Sequence, residues 1–236
     1  NILDTPGTAD FVGEARAALQ AVETAILVVD AVDGVQIETE KAWRYLTENN
    51  IPRIVFVNKM DKERAGYSKV IENLKSALGV NVASLCIPNG EGENFKGIVD
   101  TVEMKLYTPK GDGKDVTVGE IPANMKESAE LEKMNLTELA AEGTDDLIEK
   151  FLGGEELTDD EIKTGIRIQL KAAKLTPVIC GSSQKVIGIK NLIRVIRNYA
   201  PAPEIGKEFR GHEQGSPDKE VIVKMDDAGT MATVVW

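Results

Sequence analysis

Two apolar runs of strand length stand out near the start of the chain, Ala25-Ile26-Leu27-Val28-Val29-Asp30 and Arg53-Ile54-Val55-Phe56-Val57-Asn58. Neither alternates apolar with polar residues, as a half-solvated strand would. Continuous runs of this kind suit parallel strands covered on both faces by helices. Between them, Ala42, Tyr45 and Leu46 recur at helical spacing within Glu38 to Glu48. A second stripe, Val70, Ile71, Leu74, Ala77 and Leu78, predicts a helix from Tyr67 to Leu78 with Gly79 as its stop. Thr176 to Cys180 then predicts another strand, and Ile189 to Tyr199, with Leu192, Ile193 and Ile196, another helix. The alternation predicts an α/β fold: a mostly parallel sheet with helices on both faces and ligands at the carboxyl ends of its strands.

The middle of the chain breaks this pattern. From about Val80 to Lys174, a few strands (Gly97 to Leu106) precede strongly charged helices. This predicts an inserted α+β subdomain over residues 80–174, with the main domain made of residues 1–79 and 175–203. Thr158-Asp159-Asp160-Glu161 spells a capping box, so its acids belong to a helix start rather than a metal site. Pro201 ends the last helix and residues 206–217 are expected to form a loop. Val221 to Lys224 and Thr230 to Trp236 then suggest two strands around the polar Asp226-Asp227-Ala228-Gly229, the first hairpin of a further β-rich domain over 204–236. Asn1-Ile2-Leu3-Asp4 is no start site. A chain opening inside what looks like a buried strand is expected to be a fragment.

With 42% apolar residues the chain can bury a core, and no apolar run reaches the roughly 18 residues of a membrane span. The formal charge of −11 argues against a chain-wide attraction to nucleic acid, while leaving local patches open. Cys86 and Cys180 lie in separate apolar stretches at a spacing that fits no metal motif, so both are expected to be buried free thiols of a reducing compartment. The single His212 sits in a polar, Gly-rich stretch that offers imidazole chemistry no home.

Three short motifs carry chemistry. Asp4-Thr5-Pro6-Gly7 follows Ile2-Leu3. A carboxylate at a strand end can hold a magnesium ion, usually through water, and a nearby glycine lets a backbone amide approach a terminal phosphate. Asn58-Lys59-Met60-Asp61 is sharper, because it terminates an apolar strand. Asp61 can accept two parallel hydrogen bonds from the N1–H and 2-amino edge of guanine, an edge adenine lacks. Asn58 can bridge neighbouring loops and the Lys59 stem can lie over the base. In Gly181-Ser182-Ser183-Gln184-Lys185, small residues would let backbone amides reach the base oxygen. Gly90-Glu91-Gly92 with Gly97 has the wrong spacing for a dinucleotide fingerprint.

In order, Asp4-Thr5-Pro6-Gly7, Val12-Gly13-Glu14, Asp33-Gly34-Val35-Gln36, Pro52 to Asp61 and Gly181-Ser182-Ser183 resemble the elongation factor G family. So do the middle segments Ile87-Pro88-Asn89-Gly90, Phe95 to Asp100, Val102 to Lys105 and Leu152 to Thr158. The resemblance covers nearly the whole chain and weakens after about Glu204. It implies a P-loop-GTPase-type sheet, an inserted subdomain and the start of a β-barrel. It also implies a cytoplasmic, monomeric, ribosome-dependent GTPase that uses GTP/GDP and Mg2+ and moves tRNA and mRNA during protein synthesis. The implied partners are the ribosomal RNA and the stalk proteins of the large subunit. The nucleotide-binding residues carried over are Asp4, Thr5, Pro6, Gly7, Asn58, Lys59, Asp61, Ser182 and Ser183, with Asp4 also facing magnesium through water.

Two departures stand out. No Gly-x-x-x-x-Gly-Lys-Ser/Thr occurs in the 236 residues. In the family this phosphate loop precedes the position of Asp4, so the chain alone is expected to bind GTP weakly and to be inactive. Thr8 stands where the family has the histidine that positions the attacking water, beside the catalytic Gly7. A hydroxyl can hold a water but is no base near neutral pH. Thr8 therefore points to paralogues with that histidine replaced. The alternative reading is a nucleotide-gated regulatory, rescue or recycling factor with weak hydrolysis.

Overall fold

The two apolar runs form strands β1 (Ala25–Asp30) and β2 (Arg53–Asn58), paired in parallel with Ala25 opposite Arg53 and Asp30 opposite Asn58. In the computed structural model, which describes residues 1–79, 81–202 and 208–224, they belong to a unit spanning Thr24–Pro201. A second unit combines Asn1–Glu23 with the segment from Ala202 onward. Strand β8 (Leu175–Cys180) pairs with β2 and β3 (Asn81–Ser84) with β8, all in parallel, giving the order β1-β2-β8-β3. The fold class is α/β, as the alternation predicts.

The two central strands are buried on both faces, with Ile54, Val55, Val57, Val178 and Cys180 all at 0% exposure. Each such aliphatic side chain contributes about 1.5–3 kcal/mol by leaving water. The same burial does not extend to β1. It is an edge strand, and Ile26 and Val28 on one of its faces are 37% and 58% exposed. A second difference concerns β3: at the point where the inserted part is expected to begin, Asn81–Ser84 still pairs in the parallel sheet. Its four residues are too few, and too mixed, to register as an apolar run.

Helices α2 (Ile37–Glu48) and α3 (Tyr67–Leu78) follow the predicted stripes. Gln36 and Thr39 form a capping box at the start of α2. Gly79 ends α3 in the left-handed conformation at φ 60°, which costs glycine least. The Arg53 guanidinium ties α2 to the sheet by stacking on Trp43 at 3.9 Å and donating to Thr47 Oγ1 at 2.9 Å.

Beyond β3 the chain builds a second, antiparallel sheet from β4 (Cys86–Asn89), β5 (Gly97–Asp100), β6 (Lys105–Lys110) and β7 (Asp115–Gly119). Helices α4 (Lys126–Ala141), α5 (Asp145–Leu152) and α6 (Asp159–Lys171) come next, and α7 (Ile189–Tyr199) follows β8. The Thr158–Glu161 capping box opens α6. Where α4 and α6 approach, a Cβ at Gly165 would lie 2.0 Å from the Ala140 carbonyl oxygen, so only glycine fits. Glu103, between β5 and β6, gathers Arg194 of α7 at 2.6 Å, Lys163 of α6 at 3.5 Å and the Tyr107 hydroxyl at 2.7 Å, joining the second sheet to the helices.

The other unit holds a 3-10 turn (Ala9–Phe11), α1 (Val12–Leu19) and a hairpin of β9 (Glu208–Glu213) and β10 (Ser216–Lys224). Ile2 and Leu3, expected in a buried strand, lie in none and are 85% and 44% exposed. No described strand takes up their backbone hydrogen bonds, and an unpaired strand does not persist. The expected loop at 206–217 instead contains β9, turned at Gly215 with φ 81°. Its polar alternation carries no apolar run to reveal it. The expected strand Thr230–Trp236 and turn Asp226–Gly229 lie outside the described residues. Among the described residues no helix is long and apolar enough to cross a membrane.

Candidate functional site

The chain leaves β2 and β8 through two loops that are stitched together. Gly181 N–H donates to the Val57 carbonyl at 2.9 Å, and Met60 N–H to the Gly181 carbonyl at 3.1 Å. Asn58 completes the join. Its Oδ1 accepts from Lys59 N–H at 2.8 Å and Ser183 N–H at 2.9 Å, and its Nδ2 donates to Ser183 Oγ at 3.0 Å. Both polar atoms of the side-chain amide are engaged, so Asn58 sets the spacing between the two loops.

The loop after β8 closes on itself. Ser182 and Ile187 exchange both backbone hydrogen bonds, at 2.9 and 3.0 Å. Ser182 is fully buried and its hydroxyl accepts from Lys185 N–H at 3.1 Å. Ser183 is exposed, as is Lys59. Lys59 holds a left-handed backbone at φ 65°, and its ammonium lies 2.6 Å from Asp30 Oδ2 at the end of β1. Lys62 Nζ reaches Gln184 Oε1 at 3.2 Å, a second tie between the loops.

Asp61 is 9% exposed, and its Oδ1 is buried without a hydrogen-bond partner. Buried carboxylate oxygens without donors are rare because losing water costs more than packing returns. Asp30 carries opposing influences. Burial pushes its carboxyl up, while the Lys59 hydrogen bond and the Val32 and Asp33 amides outweigh it and hold the carboxyl below its usual range. The same hydrogen bond raises Lys59.

The structure thus brings Asn58, Lys59, Asp61, Ser182 and Ser183 together at neighbouring strand ends of one unit. Asp4, Thr5, Pro6, Gly7 and Thr8 belong to the other unit and are exposed. Thr8 caps the 3-10 turn through its carbonyl, which accepts from Phe11 N–H at 3.1 Å, while its hydroxyl makes no capping bond. An added Cβ at Gly7 meets nothing within 4 Å, so the chain's own packing does not demand glycine there. Sequence reasoning missed Asp30. The available signal was an acid closing the neighbouring apolar run at the same height as Asn58.

A family model described as the Elongation factor Tu GTP binding domain matches residues 1–202. The chain belongs to this family. Elongation-factor-Tu-type domains bind GTP, and the strand-end loops described above lie within the matched region. A crystal structure of a protein from Thermus thermophilus resembles this GTP-binding domain with a TM-score of 0.79 and 33% identity. The match covers 85% of this chain but 30% of the Thermus chain, so the GTP-binding domain spans about a third of that relative's length. Within this family, the parallel sheet with its flanking helices is the GTPase core, and β4 to β7 are strands additional to it.

Proposed function

We propose that this domain serves an elongation factor G-like GTPase that works on the ribosome and couples GTP hydrolysis to movement of tRNA and mRNA. The observation that carries the guanine part is Asp61, whose buried Oδ1 lacks a donor beside loops clamped by Asn58. A guanine edge brings two donors to one carboxylate, and adenine brings none that match, so Asp61 discriminates by the cost of staying unpaired. Ser183 and Asn58 fix the loop on the other side of the base, and the Lys59 stem covers its face.

Among the described residues no group of three His, Cys, Asp or Glu side chains could hold a metal ion. On this reading Asp4 would hold magnesium through water, with the nucleotide's phosphates and solvent supplying the remaining oxygens that a hard cation wants. When bound, the ion would neutralise charge on the transferring phosphoryl group. The open surroundings of Gly7 suit a backbone that a phosphate approaches closely. Partners on this reading are ribosomal RNA and the stalk proteins of the large subunit, in a cytoplasmic setting.

Thr8 favours a second reading, a nucleotide-gated ribosome-binding regulatory, rescue or recycling factor. Its hydroxyl is exposed and carries no charge, so it offers an attacking water a hydrogen bond but no proton acceptor. Multiple-turnover phosphate release by the full-length protein, with and without ribosomes and with a tRNA-movement readout, separates the two. Preference for GTP over ATP with fast ribosome-stimulated release supports the translocase. Preference with slow release, accelerated in Thr8→His, supports the second reading. Equal binding of ATP would sink both.

A further inference from the structure

We propose that Asp30 is a positioning residue for nucleotide binding: it anchors the Lys59 ammonium so that the lysine stem is already laid out where a purine face will rest. The inference builds on the guanine reading of the strand-end loops. Its foundation is the parallel register. Asp30 closes β1 directly opposite Asn58, which places its carboxylate one residue short of Lys59 across the ladder. Oδ2 accepts from Lys59 Nζ at 2.6 Å. Oδ1 is engaged separately, accepting from Val32 N–H at 2.8 Å and Asp33 N–H at 3.4 Å. The anchor is therefore itself anchored, and one carboxylate oxygen is left for the lysine alone.

The other end of Lys59 is fixed as well. Its N–H donates to Asn58 Oδ1, and its φ of 65° puts a non-glycine residue in the left-handed region. A lysine side chain that is 54% exposed would otherwise sample many rotamers. Held at backbone and ammonium, its methylenes form a short strap between the ends of β1 and β2. A strap ordered before the ligand arrives loses less conformational freedom on binding, which favours affinity without adding a contact. Asp30 does this through Lys59 and touches no nucleotide atom.

The test uses the full-length protein, measuring equilibrium GDP and ADP affinity for wild type, Asp30→Asn, Lys59→Gln and the double variant. Asparagine keeps the Oδ1 acceptor for Val32 and Asp33 and removes the charge that Lys59 sees. Exposed ion pairs are weak, so Asp30→Asn is expected to weaken GDP binding about threefold to fivefold at low salt. Lys59→Gln weakens it at least as much, and the double variant no more than Lys59→Gln. The ratio of wild type to Asp30→Asn should shrink toward one at about 1 M KCl, where a surface pair is screened. Damage confined to the turn after β1, which the Gly34 N–H closes on the Asp30 carbonyl at 2.9 Å, gives a ratio that ignores salt and losses that multiply in the double variant, and either result overturns the proposal. Unchanged GDP affinity in Asp30→Asn overturns it too. Should Asp30→Asn fail to fold, Lys59→Gln severs the same pair from its exposed end, and a salt-independent loss there is equally fatal. Wild type that binds ADP as tightly as GDP defeats the guanine reading itself, whereas a clear GDP preference together with a GDP affinity untouched by Asp30→Asn defeats only the role of Asp30.

Discussion

Replacing Asn58 with alanine removes, in one step, the hydrogen bonds that hold the loops after β2 and β8 together. Three are lost: Lys59 N–H and Ser183 N–H to Oδ1, and Nδ2 to Ser183 Oγ. At about 0.5–1.5 kcal/mol net for each, the sum spans roughly 1.5–4.5 kcal/mol. The freed groups, on Lys59 and Ser183, sit at exposed positions where water can replace the lost partner, so the low end applies, about 2 kcal/mol. For a chain of this size that corresponds to a fall in Tm of about 4–8 °C. Urea unfolding of the 236-residue chain, followed by far-ultraviolet circular dichroism, measures the free-energy loss, and a thermal scan of the same signal measures the Tm. Ser183→Ala loses one bond and should cost about 0.5–1.5 kcal/mol. Combined with Asn58→Ala it should add nothing, because the hydroxyl has no remaining partner in Asn58. Asn58→Asp keeps both amides on a carboxylate oxygen and lets the Ser183 hydroxyl reverse its bond, so it should stay within about 1 kcal/mol of wild type. Additive losses in the double variant, or an Asn58→Ala chain as stable as wild type, would falsify the clamp.

Gly113 turns between β6 and β7 at φ 80°, and a Cβ there would lie 2.6 Å from Val186 Cβ. Gly113→Ala should therefore destabilise the chain by about 1–3 kcal/mol, and a neutral result in the same urea assay would show that the hairpin tip does not press on the loop after β8. Glu161 is held down at about 2 by the Lys150 ammonium and then by the Thr158 amide and hydroxyl. A depressed carboxylate stabilises the fold above its unfolded value and loses that contribution as pH falls through the folded one. Wild type should exceed Glu161→Gln in stability above about pH 4.5, with the gap closing toward pH 2, and a gap unaffected by acid would exclude the charge as its source. Cys86 and Cys180 are buried with their sulfurs 3.5 Å apart, and burial pushes the Cys180 thiol well up. Both should react with Ellman's reagent only after unfolding, so rapid labelling of the native chain would contradict this packing.

The elements that hold the site were readable because they are long and periodic. β2 buries both faces and so appears as an apolar run, β8 does the same but with Thr176 inside it, and α2, α3 and α7 show apolar stripes at helical spacing, although Ile193 of the α7 stripe is exposed. β3 and β9 escaped for a physical reason. Each is short or polar, and its strand character comes from a partner elsewhere in the chain, β8 for the first and β10 for the second. The opposite error arose at Ile2-Leu3, where an apolar pair suggested a strand but no described partner pairs with it. Local composition sets what a segment can form. Pairing decides whether it does.

The same distinction explains which parts of the candidate site were visible. Asn58, Asp61 and Ser183 announce themselves by residue type at strand ends, whereas the geometry that brings them together as a candidate site is non-local. Lys59 and Val186 are both non-glycine residues with left-handed backbones, at φ 65° and 56°, and they occupy the two loops that Asn58 joins. Such conformations cost of order 1–3 kcal/mol each and persist only where surroundings over-determine them. At Lys59 those surroundings are Asn58 Oδ1 and Asp30. At Val186 they are the Ser183 carbonyl, which accepts its N–H at 3.3 Å, and Gly113 from the second sheet. Left-handed non-glycine residues also occur at Asn50, Arg64, Met104 and Ala173, so strain by itself does not mark a site. What sets these two loops apart is the Asn58 clamp between them together with Asp61, whose Oδ1 has no donor. A flat ligand that neither loop could grip by itself would need both.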